Sequence, residues 1–313
     1  MADQFGFAIL GLVILLLAGD VLVKGAVNLS LRLGIPALIV SLTIVAFGTS
    51  APELLISVQS VLGGVPGLAL GNVVGSNTAN ILLVLGIPAL LMGMGAGSDT
   101  RRDYVIMMIA SIIFVVLCFL GPLQLWHALV LLAVFATIMT MMVRTALSHR
   151  RAGDLEEDLE EADPDMPWWK IGLYLALGLV GLPLGANLLI DSATSIAAAY
   201  GVSDEVIGLT LVAVGTSLPE LATTVMAALR RQADVALGNV IGSNLFNIIF
   251  IMGIAGLFGT IPVEREFLVL DLWVMLAASL VLAPFVFLRL PMGRAVGLVF
   301  SALYAGYIVV LLA

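Results

Sequence analysis

The chain has 313 residues, of which 61% are hydrophobic and only 11% are charged. Apolar runs of about 20 residues recur from end to end between short polar turns, which excludes a soluble globular domain and indicates a polytopic protein of the lipid bilayer. The formal net charge is −8, and the acidic residues between Asp154 and Asp165 account for it. The charge therefore belongs to one segment, and no nucleic-acid partner is expected.

Ten apolar segments are long enough to form membrane-spanning helices. The first begins near Phe5 without a preceding basic region, so we expect a retained helix and not a cleaved signal peptide. Glycine and proline mark the turns, as at residues 63–67. The predicted spans are residues 5–27, 36–62, 66–93, 104–121, 124–146, 169–199, 205–229, 235–258, 267–288 and 293–313.

A long polar connection divides the ten segments into two groups of five. Cytoplasmic loops retain Lys and Arg, and of the 13 basic residues only Arg265 lies in a loop that follows an even-numbered helix. This asymmetry predicts that both termini lie outside the cell. The predicted units are a first five-helix repeat (1–147), an acidic cytoplasmic linker (148–168) and a second five-helix repeat (169–313).

Residues 43–80 recur without a gap as residues 210–247, at an offset of 167 positions. Because each half contains an odd number of helices, the second copy crosses the membrane in the opposite sense. The sequence therefore predicts an all-α polytopic membrane protein with ten transmembrane helices as two inverted five-helix repeats. Two such copies can exchange conformations and open a central site alternately to each side.

The first motif, Gly-Thr-Ser-x-Pro-Glu, occupies residues 48–53 and 215–220. Its proline lacks an N–H and crowds the preceding turn, so it interrupts the helix and frees carbonyl oxygens that must meet protein, water or a cation in the membrane. Its glutamate lies at mid-membrane depth, where an ionisable side chain indicates function. Helical spacing places the Thr and Ser hydroxyls beside the carboxylate.

The second motif, Gly-Asn-Val-x-Gly-Ser-Asn, occupies residues 71–77 and 238–244 and is followed three residues later by another Asn. Glycine and serine in membrane helices often serve close packing, but the polar Asn one turn later favours a ligand role. The two motifs offer carboxylate, hydroxyl and carbonyl oxygens without thiolate or imidazole. Such a set suits hard cations, Ca2+ or Na+.

The paired motifs resemble those of the sodium/calcium exchangers, prokaryotic type, within the cation/Ca2+ antiporter superfamily, over essentially the whole chain. The resemblance implies that helices 2, 3, 7 and 8 form a core across which helices 1 and 6 slide. It also implies transported Ca2+ and Na+, no cofactor, no enzymatic activity and a prokaryotic inner membrane. The implied ion ligands are Glu53, Glu220, Thr49, Ser50, Thr216, Ser217, Ser76, Asn80, Ser243 and Asn247, with the backbone carbonyls of Ala46 and Ala213.

Secondary active antiport follows from charge, because two ionised glutamates without a cation are too costly to carry through an occluded state. We expect electrogenic exchange of Na+ for Ca2+ by alternating access, with proton competition at low pH. Some family members carry Asp where this chain has Asn80 or Asn247. An H+/Ca2+ exchanger and a K+-dependent Na+/Ca2+ exchanger therefore stay open as alternatives.

Two other classes of protein fit the sequence less well. An intramembrane serine protease would need a histidine base near Ser50 or Ser217, and neither His127 nor His149 lies near these serines in the sequence. An ion channel usually obtains an acidic ring from rotational repeats of subunits.

The other charged residues are interpreted as structural or solvated. Asp20 and Lys24 have the spacing of a neutralising helix pair, and Asp191 is expected near an aqueous end. The acidic linker lacks the ligand spacing of a calcium-binding loop, so we interpret it as a solvated connection.

Overall fold

The computed structural model describes residues 2–95, 100–152, 163, 165–200 and 213–312. Within these residues the chain is helical apart from loops and two isolated β-bridges, Met94 with Met292 and Leu123 with Ile261. The helices are α1 (Ala2–Leu33), α2 (Ala37–Thr49), α3 (Ala51–Leu62), α4 (Gly67–Met92), α5 (Arg101–Phe119), α6 (Leu125–Ala152), α7 (Trp168–Ala199), α8 (Ala213–Gly215), α9 (Leu218–Leu229), α10 (Ala233–Phe258), α11 (Phe267–Phe287) and α12 (Arg294–Leu312).

The lengths and composition of the helices confirm a polytopic, all-helical membrane protein. Eight of the described helices are long and apolar enough to cross a membrane, and α2 with α3, bent by 44° at their junction, is a ninth candidate span. The first part of the predicted span 205–229 lies outside the described residues, as does most of the predicted linker. Helix α6 continues to Ala152, into the predicted linker, and α1 continues to Leu33. Long basic side chains let such helices extend past the apolar run into the interface.

Both glutamate motifs lie on an interrupted helix, as the prolines predict. Helix α2 gives way to α3 at Ser50, whose ψ of 8° departs from the helical value. Ser217 has the same conformation between α8 and α9, with ψ of 4°. Pro52 and Pro219 then lie in the first turn of α3 and α9, where the missing N–H is tolerated.

In the described part of the chain, four helices contain a π-helical segment, which the sequence motifs do not predict. These segments are Ser41–Val45, Asn80–Val84, Phe246–Ile251 and Phe267–Asp271. The Asn80 carbonyl accepts a hydrogen bond from the N–H of Leu85, five residues on, at 3.3 Å. Such segments are frequent at functional sites, and two of them contain the predicted ligands Asn80 and Asn247.

Helices α4 and α10, which carry the second motif, form the centre of the molecule. In their most apolar windows 78% and 83% of the residues are buried, against 17% for α12. Helix α10 approaches α2 closely at Gly242, where an added Cβ would lie 2.6 Å from the Cβ of Ala46 and 2.7 Å from the Leu42 carbonyl oxygen. The glycine therefore lets the two motif-bearing helices touch.

Helix α1 packs along α7 and is tied to the end of α9. A Cβ at Gly185 would lie 2.8 Å from the backbone nitrogen of Leu15, so close contact between α1 and α7 depends on this glycine. The predicted pair forms, with Lys24 Nζ 3.1 Å from Asp20 Oδ2. Arg230, just after α9, also donates from Nε to Asp20 Oδ1 at 2.7 Å.

Candidate functional site

Two glutamates from different motif copies lie at the centre of the site. Glu53 on α3 and Glu220 on α9 are both fully buried. Ser50 Oγ donates a hydrogen bond to Glu220 Oε1 at 2.9 Å, and Ser243 Oγ of α10 donates to the same oxygen at 3.3 Å. A hydroxyl from the first copy thus holds the carboxylate of the second.

The threonine and serine hydroxyls connect the first motif of each copy to the second motif of the other. Thr49 Oγ1 lies 3.5 Å from Ser243 Oγ, and Ser76 Oγ lies 3.4 Å from Thr216 Oγ1. These two contacts are related by the 167-residue offset of the duplication. Thr49 Oγ1 also donates to the Ala46 carbonyl at 3.2 Å, so this predicted carbonyl ligand lies beside the hydroxyl cluster.

Asn72 and Asn239, the second residues of the two Gly-Asn-Val motifs, hold the glutamate-bearing helices. Asn72 Nδ2 donates to the Glu53 carbonyl at 3.1 Å, and Asn239 Nδ2 donates to the Glu220 carbonyl at 3.3 Å. Neither residue is among the ligands predicted from the sequence. Their recurrence at equivalent positions of both copies was the available signal.

A second asparagine pair crosses between α4 and α10. Asn77 Nδ2 donates to the Asn244 carbonyl at 3.1 Å, and Asn244 Nδ2 donates to the Asn77 carbonyl at 3.2 Å. Asn80 Nδ2 donates to Asn244 Oδ1 at 3.0 Å, which fixes the plane of a predicted ligand amide. Asn80 is among the ligands predicted from the sequence, whereas Asn77 and Asn244 are not.

Six oxygen atoms of the predicted ligand side chains are buried without a hydrogen-bond partner among the described residues. They are both carboxylate oxygens of Glu53, Glu220 Oε2, Asn80 Oδ1, Ser217 Oγ and Asn247 Oδ1. Buried polar groups are nearly always paired, and a buried carboxylate without compensation is very costly. These oxygen atoms fit a hard cation such as Ca2+ or Na+. Among the described residues no three acidic, His or Cys side chains come together.

Eight of the twelve predicted ligand residues fall into three groups by their contacts. Ala46, Thr49, Ser50, Glu220 and Ser243 form one hydrogen-bonded cluster, Ser76 approaches Thr216, and Asn80 is bonded to Asn244. Glu53, Ser217 and Asn247 are buried side chains with unpaired oxygen atoms. Ala213 is the first described residue of α8. Ion binding by these residues stays a prediction.

The two copies of the site differ in their hydrogen bonds. Glu220 Oε1 accepts from two serines, whereas both carboxylate oxygens of Glu53 lack a hydrogen-bond partner among the described residues. Ser217, the counterpart of Ser50, likewise has an unpaired hydroxyl. The second copy's carboxylate is therefore held by two serine hydroxyls, and the first copy's is not.

Comparisons of the sequence with known families and with curated proteins give matches over nearly the whole chain. The family model described as "Sodium/calcium exchanger protein" matches residues 4–144 and 170–313. The chain is 34% identical to the sodium/calcium exchanger MaX1 of Methanosarcina acetivorans, over 98% of each protein. It is also 34% identical to the inner membrane protein YrbG of Escherichia coli K12, over 96% of this chain and 93% of that protein.

A solved structure shares the fold as well as the sequence pattern. The sodium-calcium exchanger NCX_Mj superposes on this chain with a TM-score of 0.83 and 32% identity, over 98% of this chain and 97% of that one. Because the sequence match and the structural match both extend over nearly the entire chain, the chain belongs to the sodium/calcium exchanger family.

Proposed function

We propose that this protein is a secondary active antiporter that exchanges Na+ for Ca2+ by alternating access, and that the exchange is electrogenic. The observation that carries the proposal is the set of six buried oxygen atoms without a hydrogen-bond partner in the described part of the chain, four of them carboxylate or hydroxyl oxygens of Glu53, Glu220 and Ser217. The family to which the chain belongs supports Na+ and Ca2+ as the transported ions.

Electrogenic exchange is expected from the net charge that the site carries with each ion. Two ionised glutamates and one Ca2+ sum to zero, so the Ca2+-loaded site crosses without net charge. If more than two Na+ replace the Ca2+, the Na+-loaded site is positive. A single net charge would couple the cycle to membrane voltage by about 2.3 kcal/mol per 100 mV. An inside-negative potential would then favour Na+ entry and Ca2+ exit.

The architecture proposed for this cycle is ten helices in two inverted five-helix repeats. Support comes from the nine candidate spans together with the shorter apolar helix α9. The hydrogen bonds that recur at an offset of 167 residues, such as those of Asn72 and Asn239, support two equivalent halves. The basic residues support a cytoplasmic linker and external termini. The similarity to an inner membrane protein of Escherichia coli supports a prokaryotic inner membrane as the location.

The alternatives are an H+/Ca2+ exchanger and a K+-dependent Na+/Ca2+ exchanger. We favour exchange without K+ because both Asn80 and Asn247 are neutral, which leaves two carboxylates to balance the cargo.

The test is calcium flux into liposomes that contain the purified protein. Vesicles loaded with Na+, K+ or acidic buffer are diluted into radioactive calcium, and we expect uptake from the Na+-loaded vesicles alone. Valinomycin then clamps the voltage at several K+ gradients, with identical gradients lacking valinomycin as controls for direct K+ effects. Inside-positive voltage should accelerate uptake. Uptake driven by K+ or H+ would contradict the ion assignment, and uptake indifferent to voltage would contradict surplus Na+.

A further inference from the structure

Four asparagines in α4 and α10 form an interhelical network that is symmetric except for one hydrogen bond. Asn77 and Asn80 are related by the duplication to Asn244 and Asn247. Asn77 and Asn244 exchange side-chain-to-backbone bonds at 3.1 and 3.2 Å, so that part of the network is reciprocal. Asn80 Nδ2 donates to Asn244 Oδ1 at 3.0 Å. The equivalent bond would run from Asn247 Nδ2 to Asn77 Oδ1.

That equivalent bond is not made. Asn77 Oδ1, Asn247 Nδ2 and Asn247 Oδ1 are buried atoms without a hydrogen-bond partner among the described residues. All four asparagines are at most 1% exposed. Exchanging the amide oxygen and nitrogen of Asn247 does not remove the asymmetry, because neither atom is paired. A buried amide left unpaired is unfavourable, so the arrangement calls for a second state in which the bond forms.

The glutamates of the site show the same kind of asymmetry as the asparagines. Ser50 holds Glu220, whereas Ser217 does not hold Glu53. Asn80 is likewise held, and Asn247 is not. Each contact that the structure lacks is thus the counterpart of a contact that it makes.

We propose that Asn244 and Asn77 are positioning residues that hold the ligand amides of Asn80 and Asn247 alternately, one in each conformation of the transport cycle. This inference rests on the proposed function, because inverted repeats exchange conformations during alternating access. The Asn80–Asn244 bond belongs to the conformation described here. The Asn247–Asn77 bond replaces it in the opposite conformation, and in each state one amide oxygen is presented to the cation in a fixed direction.

Two matched substitutions test the exchange of bonds. Asn77→Ala and Asn244→Ala each remove one of the reciprocal backbone bonds, so their structural costs are similar. Only Asn244→Ala removes the acceptor used in the present conformation, and only Asn77→Ala removes the acceptor proposed for the opposite one. The two variants should therefore shift the conformational equilibrium in opposite directions, by roughly three- to tenfold each, which corresponds to one buried hydrogen bond.

The equilibrium is measured by pulsed electron paramagnetic resonance in lipid nanodiscs, in a background with Cys118→Ala. Spin labels replace Phe5 on α1 and Leu62 at the end of α3, two exposed positions on helices that would move relative to each other. Opposite changes in the two distance populations support the proposal. Changes in the same direction, or unchanged populations in both variants, overturn it. If either alanine variant fails to insert, Asn77→Ser and Asn244→Ser are compared in the same way.

The outcome is separable from that of the proposed function. Wild-type protein without Na+-driven calcium flux would overturn the antiport proposal, whatever the labels show. Wild-type protein with normal flux and variants that shift together would overturn only the asparagine exchange.

Discussion

Glu53 and Glu220 are equivalent in sequence but not in their surroundings. Both are fully buried, yet only Glu220 accepts hydrogen bonds from Ser50 and Ser243. A carboxylate held by two hydroxyls has a fixed direction, whereas neither serine hydroxyl of the first copy holds Glu53 in this way. We propose that each glutamate supplies half of the charge that a divalent cation requires.

We therefore predict that Glu53→Gln and Glu220→Gln each abolish exchange. Gln preserves the volume of the side chain, so the variants should fold and insert. The attraction between one carboxylate charge and a divalent cation about 4 Å away is about 8 kcal/mol at an effective dielectric constant of about 20, so its loss should lower Ca2+ affinity by more than roughly a thousandfold. Sodium-driven calcium flux and equilibrium calcium binding are the measurements.

The matched control is Glu264→Gln, which changes an exposed glutamate and should leave flux unchanged. Near-normal flux in either of the two site variants would show that one carboxylate suffices. That result would contradict the proposal that both glutamate charges are required.

The sequence predicted much of this site because residue type and spacing carry the chemistry. Glu53 and Glu220 stand out as charges in apolar segments, and the hydroxyls follow from helical spacing. Asn77 and Asn244 did not stand out as site residues. Which amide faces which depends on the crossing of α4 and α10, and no local pattern encodes that crossing.

At the scale of the helix, prolines and π-helical segments shape the site in different ways. Pro52 and Pro219 predict an interruption of the helix, because a residue without an N–H cannot continue the helical hydrogen bonds. The structure has these interruptions at Ser50 and Ser217. The π segments have no residue signature of this kind. A hydrogen bond between residues five positions apart depends on how the helix packs against its neighbours. The positions of the π-helical segments could therefore not be predicted from the sequence.

Close contact between α10 and α2 gives a prediction at this scale. Gly242→Ala would place a methyl group 2.6 Å from Ala46 Cβ and 2.7 Å from a backbone oxygen, so one of the two helices must move. We expect a loss of about 1–3 kcal/mol of stability and a reduction of calcium flux, since Ser243 is adjacent. Thermal unfolding in detergent and flux in liposomes measure the two effects.

Gly306→Ala is the control, because a Cβ there meets no described atom within 4 Å. If Gly242→Ala and Gly306→Ala have the same thermal unfolding and the same calcium flux, the contact between α10 and α2 does not position the site.

For the whole molecule, the distribution of basic residues predicts the orientation. The linker that follows α6 should be cytoplasmic, and the loop before α11 should be outside. The reason is that, of all the Lys and Arg residues, only Arg265 lies in a loop that follows an even-numbered predicted helix. In a background lacking Cys118, single cysteines at Glu157 and Glu264 should react with an impermeant thiol reagent from opposite sides. Labelling of intact cells and of inverted vesicles distinguishes the sides, and reaction of both positions from one side would refute the inverted repeat.

The overall architecture was predictable to the extent that hydropathy marks each span. Helices α4, α7, α10 and α11 begin and end within a few residues of the predicted limits. The ends of α1 and α6 were underestimated because these helices continue past their apolar runs. The mutual arrangement of the two halves depends on contacts between distant residues, which hydropathy does not describe.

The reciprocal bonds between Asn77 and Asn244 resemble an isologous interface, in which a residue of one partner donates to its own counterpart in the other. Such contacts normally join two identical subunits across a twofold axis. Here they join two halves of one polypeptide, so the proposed cation site lies at what is in effect a dimer interface. A single chain differs from a true dimer in one respect: its two halves can diverge in sequence, and each can therefore bind the cargo with a different set of contacts.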